Sequence, residues 1–78
     1  MSTTEYFSES LKPVTNAEID DKKPSVKVEL LVSSYSGEYA GYFKLYDDDG
    51  AQRVFSISVE QLKELAEGAS GAYDELAR

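Results

Sequence analysis

The chain has 78 residues, with 15 acidic against 8 basic side chains and neither cysteine nor histidine. This length predicts one domain with a small core. Without cysteine there is no disulfide framework and no thiolate zinc site, and without histidine the commonest general base and metal ligand is missing. We therefore expect a protein that binds rather than catalyses, with no catalytic residue, metal or cofactor.

The net charge of -7 indicates which partners charge would select. A negative field on so small a body repels phosphate backbones and anionic membranes, so we expect direct nucleic-acid binding to be disfavoured and a partner to carry a basic surface. The same charge is typical of solubility alone, because small domains commonly carry net charges of roughly 2 to 8 in magnitude. The sequence shows no signal peptide and no apolar run near the roughly 20 residues of a membrane span, so we expect a soluble cytoplasmic protein.

Residues 1–24 are polar, with scattered apolar side chains, and we interpret them as an N-terminal arm. Thr15 and Glu18 have the T-x-x-E spacing of a capping box, in which the hydroxyl and the carboxylate each satisfy a backbone N–H of a helical turn. Pro24 disfavours helical conformation in the residue before it. The arm is therefore predicted to contain one short helix.

Residues 25–78 predict a β-β-β-α domain of the α+β class. Apolar residues at positions 26, 28, 30 and 32 alternate with others, as in a strand with one buried face. Two further strands are predicted over 38–46 and 52–57. Ser58 and Gln61 form a capping box, so a helix should begin at about Val59. The expected fold is a three-stranded antiparallel meander with this C-terminal helix on one face, in contact through Leu62, Leu65 and Ala66.

The loop lengths predict the register of the strands. A three-residue loop of Asp48, Asp49 and Gly50 sets Phe43 opposite Phe55, and glycine suits the left-handed position of that turn. A loop over residues 34–37 sets Leu30 opposite Gly41. In both hairpins the apolar residues then share one face, which is the predicted core.

The acidic residues of the DDDG sequence also invite a cation-binding hypothesis. An EF-hand loop with Gly50 at its sixth position would have Leu45 at the first and Ser56 at the twelfth, where acidic ligands are required. The match fails at two ligands. We therefore interpret Asp47, Asp48 and Asp49 as an acidic tip of the hairpin, exposed to solvent, and expect no metal site.

The preferred hypothesis for function rests on the acidic residues of the helix. Glu60, Glu64 and Glu67 recur at i, i+4 and i+7, so they form an acidic stripe on one helix face. With the acidic tip, this stripe could imitate a row of phosphates. It predicts a small non-enzymatic protein that binds, and inhibits, a partner with a basic, nucleic-acid-binding surface. The competing interpretation is an ordinary solvated helix face.

The second hypothesis concerns the face of the sheet opposite the helix, which we call the outer face. It carries Tyr42, Tyr46, Lys27 and Lys44, and it is half apolar. Such a surface is typically a contact site. The arm could cover it, a second copy could cover it in a homodimer, or it could bind a hydrophobic protein or single-stranded nucleic acid by stacking bases on its aromatic rings.

The hairpin followed by SISVEQLKEL, which ends at Leu65, is similar to the strand-then-helix ending of the transcriptional coactivator family that binds single-stranded DNA. The resemblance covers less than half of the chain. It implies single-stranded nucleic acid as a ligand, while the basic surface of that family has no counterpart in this acidic sequence.

Overall fold

The computed structural model describes residues 2–34, 37–47 and 49–78. Its elements in chain order are β1 Thr3–Leu11, β2 Val14–Thr15, β3 Glu18–Ile19, β4 Val26–Ser33, β5 Ala40–Tyr46, β6 Gln52–Ile57 and α1 Val59–Leu76. Four strands form one antiparallel sheet in the order β1-β4-β5-β6. The predicted α+β class, with an antiparallel sheet and a C-terminal helix, is confirmed. The sheet has four strands rather than three.

The prediction of a short N-terminal helix is wrong. Thr15 and Glu18 face each other in a two-stranded ribbon formed by β2 and β3. The two residues between them, Asn16 and Ala17, have positive φ values of 52° and 64°, as the central residues of a type I′ hairpin turn do. The Thr15 hydroxyl donates to the Asp20 carboxylate at 3.1 Å instead of capping a helix. The T-x-x-E spacing of Thr15 and Glu18 therefore belongs to a hairpin and not to a helix cap.

The first strand belongs to the sheet that the sequence predicted only from residue 25 onward. β1 runs antiparallel to β4, from Thr3 opposite Ser33 to Leu11 opposite Val26. The register shifts between Glu5 and Phe7, so Tyr6 is the extra residue of a β-bulge. Because of the bulge, Tyr6 and its neighbour Phe7 both lie on the helix side of the sheet.

One of the two predicted strand registers is confirmed, and the other is wrong. Between β5 and β6 the register is as predicted, with Phe43 opposite Phe55. Between β4 and β5 the prediction is wrong by two residues, because Leu30 lies opposite Phe43 rather than opposite Gly41. Pairing ends at Ser33 and Ala40, so the connection is longer than the predicted loop. A shift of two residues keeps every side chain on its predicted face.

Helix α1 begins at Val59, as its capping box predicted. The Gln61 N–H donates to the Ser58 hydroxyl at 3.1 Å, and the Ser58 N–H donates to the Gln61 side-chain oxygen at 2.9 Å. The first turn lies close to the sheet at Gly41, where an added Cβ would be only 3.3 Å from Cδ1 of Leu62. Glycine at this position therefore allows the helix to start against β5.

Beyond its first turn, the helix leaves the sheet uncovered. No hydrophobic residue in the described part of the chain is fully buried, and none in α1 is. An open groove of about 590 Å³ separates helix and sheet on the inner face, which is our name for the helix side of the sheet. This apolar groove is lined by Tyr6, Phe7, Leu30, Val32 and Phe43 of the sheet and by Leu62, Leu65, Ala66 and Ala69 of the helix. The predicted core residues thus meet without closing a core.

Candidate binding surfaces

The outer face combines aromatic, basic and small polar side chains, and no described element packs over it. Alternation along the paired strands puts these residues on one side of the sheet. They include the four candidates from the sequence, Lys27, Tyr42, Lys44 and Tyr46. The structure therefore brings this predicted group together on one surface.

Tyr46 is the centre of that group. The ammonium nitrogens of Lys27 and Lys44 lie 5.6 Å and 5.5 Å from the centroid of its ring, within the range of a cation–π interaction. Lys27 comes from β4 and Lys44 from β5, so the antiparallel pairing of these strands creates the arrangement. An aromatic surface and two positive charges are thereby held within one small area of the sheet.

Glu29 fixes the position of the Tyr46 ring. The Tyr46 hydroxyl donates to Oε1 of Glu29 at 2.7 Å, and Glu29 is only 3% exposed. This hydrogen bond holds the pKa of the Glu29 carboxyl below its ordinary value of 4.5, against the opposing effect of burial. A hydrogen bond with the Glu5 side chain and the charges of Lys27 and Lys44 lower the pKa further. At neutral pH the carboxylate is therefore charged and accepts the hydrogen bond from the Tyr46 hydroxyl.

A shallow depression of about 280 Å³ lies beside this cluster on the outer face. Its lining mixes polar and apolar side chains from all four strands: Thr3, Leu31, Ser33, Tyr42, Lys44, Gln52 and Val54. The Thr3 and Ser33 hydroxyls are 2.9 Å apart and share a hydrogen bond across β1 and β4. Lys44 borders both the depression and the Tyr46 ring, so the two features form one continuous surface.

The acidic stripe of Glu60, Glu64 and Glu67 lies on α1, and all three side chains are exposed. At 100° per residue they point away from the helix residues that line the apolar groove. The sequence predicted this arrangement from spacing alone. The stripe faces solvent.

The acidic tip is separate from the stripe. Asp47 pairs with Arg53 at 3.3 Å, and the Asp49 carboxylate accepts a hydrogen bond from the Ala51 N–H at 3.1 Å, so both stabilise their own turn. Asp48 lies outside the described residues. β6 separates the tip from the helix start, and its six residues span about 20 Å. The tip and the stripe therefore lie on different elements, the β5–β6 hairpin and helix α1.

Two residue sets were missed by reasoning from sequence. Glu29 is not among the residues that the sequence analysis selects, although a carboxylate in the middle of an apolar strand is a signal for a buried hydrogen-bonded group. Tyr6 and Phe7 were assigned to the arm, because a bulge breaks the alternation that reveals a strand.

The residues that the structure describes contain no candidate for a metal site or for a membrane span. There, no group of three or more acidic side chains is placed to hold a metal ion. The helix there is not long and apolar enough to cross a membrane. Comparison with protein-family models, with curated proteins and with solved structures found no match.

Proposed function

We propose that this chain is a non-enzymatic binding protein that holds single-stranded nucleic acid on its outer face. The observation that carries the proposal is the Tyr46 ring with the Lys27 and Lys44 ammonium groups about 5.5 Å from its centre. Single-stranded nucleic acid offers the two chemical groups that such a cluster recognises. A base stacks on an aromatic ring, and phosphates pair with ammonium groups.

The distribution of charge supports this surface despite the net charge of -7. The acidic stripe lies on the far side of the helix, and the acidic tip lies at the end of the β5–β6 hairpin. On the outer face the central carboxylate, Glu29, is buried and hydrogen-bonded to Tyr46. A nucleic-acid strand laid across this face would meet the two lysines and also the exposed carboxylate of Glu5, which lies opposite Leu31. That carboxylate and the overall negative field both lower its affinity.

The test is fluorescence anisotropy with a labelled oligothymidylate at low salt. Tyr46→Ala should weaken binding by roughly tenfold or more, because stacking on one aromatic ring contributes about 1 to 3 kcal/mol per base. Tyr46→Phe keeps the ring and should bind nearly as well as the wild type. The matched control is Tyr39→Ala, which removes a tyrosine that is 72% exposed and lies outside the outer face.

Salt dependence tests the role of the lysines. If Lys27 and Lys44 each neutralise one phosphate of a single strand, log affinity should fall with log salt at a slope of about -1.4. Each Lys→Ala substitution should reduce that slope by about 0.7. The proposal is wrong if the wild type does not bind the oligonucleotide, or if Tyr46→Ala and Tyr39→Ala affect binding equally.

The acidic stripe supports a second candidate function, which is binding and inhibition of a protein with a basic surface. The observation in its favour is that Glu60, Glu64 and Glu67 are exposed together on one helix face, opposite the apolar groove. Covering the groove would leave the stripe accessible. We take the stripe as the contact, because its three carboxylates share one face of one helix.

A titration with oligolysine separates the two functions. Binding through the stripe should fall steeply with ionic strength, should weaken when Glu60, Glu64 and Glu67 are changed together to glutamine, and should survive Tyr46→Ala. The matched control changes Glu9, Glu18 and Glu38, which are all exposed, to glutamine and so removes the same charge elsewhere. Equal losses in the two triple variants would show attraction by net charge alone.

A further inference from the structure

The single chain exposes more surface than a compact protein of its mass. It has 6321 Å² of accessible surface at 8.6 kDa. The scaling of surface with mass gives about 4,700 Å² for a compact monomer of this size. The excess is about 1,600 Å². Homodimers that fold only together bury roughly 1,000 to 2,500 Å² per partner, so the excess matches what such an interface removes.

The shape of the chain agrees with this surplus. Its radius of gyration is 14.6 Å, against about 11.5 Å expected for a compact domain of 78 residues. The molecule measures 42 × 35 × 16 Å. It is therefore broad and thin, and one of its two broad sides carries the open apolar groove.

The helix carries its apolar side beyond the groove. Tyr73 and Leu76 continue the direction of Leu62 and Ala69 at helical spacing, and we call these four residues the apolar stripe of the helix. Tyr73 is 71% exposed and Leu76 is 87% exposed. The C-terminal half of α1 thus presents large apolar side chains that its own sheet does not cover.

We infer that a second copy of this chain covers the groove. In the resulting dimer, the C-terminal half of each helix lies in the apolar groove of the other copy, with Tyr73 and Leu76 against the inner face of the partner's sheet. This contact is isologous, because each copy supplies one groove and one helix. It uses the inner face, whereas the sequence suggested a homodimer contact on the outer face.

Two further observations favour a second copy over a small ligand or an unrelated protein. Ligand pockets contain a few polar groups that orient the ligand, whereas the side chains that line this groove are aliphatic or aromatic, and the Tyr6 hydroxyl is the one polar atom among them. The acidic stripe points away from the apolar stripe, so two copies can join without bringing their Glu60, Glu64 and Glu67 groups together. The chain's own helix offers the groove an exposed apolar surface through Tyr73 and Leu76, and every second copy brings that surface at the same concentration.

The first measurement is the mass and thermal stability of the full chain. Sedimentation equilibrium should give about 17 kDa, twice the 8.6 kDa of one chain. Because folding and association are one process in such a dimer, Tm should rise by roughly 5 to 10 °C for a hundredfold increase in concentration. A folded 8.6 kDa monomer whose Tm does not depend on concentration overturns the inference.

The second measurement locates the interface. Tyr73→Glu should weaken dimerisation at least about thirtyfold, because a buried tyrosine at the centre of an interface is typically a hot spot. Gly71→Glu is the matched control, since it adds the same charge to the opposite side of the helix where no atom lies within 4 Å. A dimer with an unchanged dissociation constant in Tyr73→Glu places the interface elsewhere and overturns the inference.

Isotope-filtered NMR on a mixture of labelled and unlabelled copies keeps the test independent of how well variants fold. Contacts between copies should join the Tyr73 ring protons to methyl groups of Leu30 and Val32, which line the groove. Leu31 and Val54, on the outer face, are the matched controls. Intermolecular contacts to the control methyls alone would place the dimer interface on the outer face and contradict the inference.

Discussion

The two faces of the sheet are unequal in a way that the sequence alone does not reveal. On the outer face, polar side chains find partners within the chain, as in the Tyr46–Glu29 hydrogen bond and the Thr3–Ser33 pair. On the inner face, apolar side chains line an open groove. The outer face is complete in one chain, whereas the inner face lacks a second layer.

The two faces therefore contribute differently to stability and to ligand binding. Burial of apolar surface is the main favourable term in folding, and it is the inner face that supplies such surface. The outer face holds its aromatic and basic groups in place by hydrogen bonds and charge. We therefore expect substitutions on the inner face to change folding and association, and substitutions on the outer face to change mainly ligand binding.

The largest expected effect comes from Phe43, and Tyr42, its neighbour on β5, is the matched control. Phe43 borders the groove, and Tyr42 lies on the outer face. Phe43→Ala should lower the free energy of unfolding by about 3 kcal/mol per copy, as removal of a covered phenylalanine does. Tyr42→Ala should cost about 1 kcal/mol, which is the span of strand preferences at a partly exposed site. Urea unfolding at one fixed protein concentration measures both. Equal losses would mean that the inner face stays as open in solution as the outer face.

The next effect concerns the place where the helix meets the sheet. A Cβ at Gly41 would lie 3.1 Å from both Cγ2 and the carbonyl oxygen of Ile57. Gly41→Ala should therefore displace the first helical turn and cost about 2 kcal/mol, as overpacking does. Gly68→Ala is the matched control, because nothing lies within 4 Å of its added Cβ and alanine favours a helix, so it should stabilise by about 1 kcal/mol. Thermal unfolding that shows a gain for both would place α1 away from β5.

The predictable parts of the fold were those fixed by local signals. The Ser58 capping box, the alternation in β4 and the glycine at the β5–β6 turn are each readable within a few residues. β1 was missed because its pairing with β4 is remote in sequence and the bulge at Tyr6 interrupts the alternation. The predicted β4–β5 register was wrong because residues 38 and 39 still belong to the loop, and no turn residue after Gly37 marks Ala40 as the start of pairing.

In the candidate sites, too, the features with a local signal were predictable and the features that depend on tertiary contacts were not. Helical periodicity predicted the acidic stripe, and alternation predicted the grouping of Tyr42 and Tyr46 with two lysines. The role of Glu29 depends on a hydrogen bond to a residue 17 positions away, which spacing cannot reveal. The open groove depends on the distance between helix and sheet. That distance is a tertiary property with no local signal.

The capping box offers a smaller test of the inner face alone. Ser58→Ala removes the acceptor for the Gln61 N–H and should cost about 1 kcal/mol, the usual effect of losing an N-cap. The same variant should leave oligonucleotide affinity unchanged, because Ser58 precedes the helix and lies away from Tyr46. Ser58→Asp, which retains a capping oxygen, is the control and should restore most of the stability. A loss of affinity in Ser58→Ala would show that the helix and the outer face are coupled.

The smallest expected effect comes from the buried carboxylate of Glu29 on the outer face. Tyr46→Phe removes the hydrogen bond that most lowers the pKa of Glu29, so that pKa should rise. Lys27 and Lys44 still attract the carboxylate, and the loss of stability at neutral pH should therefore lie at the low end of the cost of a buried acceptor that loses its partner, about 1 kcal/mol. NMR titration of the Glu29 side chain measures the pKa directly.

The pH dependence of stability gives the sign of the same effect. A carboxyl whose pKa is lower in the folded protein stabilises it fully above its unfolded pKa, and this contribution disappears as pH falls through the folded pKa. The difference between wild type and Tyr46→Phe should thus be largest at neutral pH and should shrink below about pH 4.5, the ordinary value for Glu29. Glu29→Gln, which cannot titrate, should remove this trend. If the stability difference between wild type and Tyr46→Phe stays constant as the pH falls below 4.5, the Tyr46 hydroxyl stabilises the outer face through groups other than the Glu29 charge.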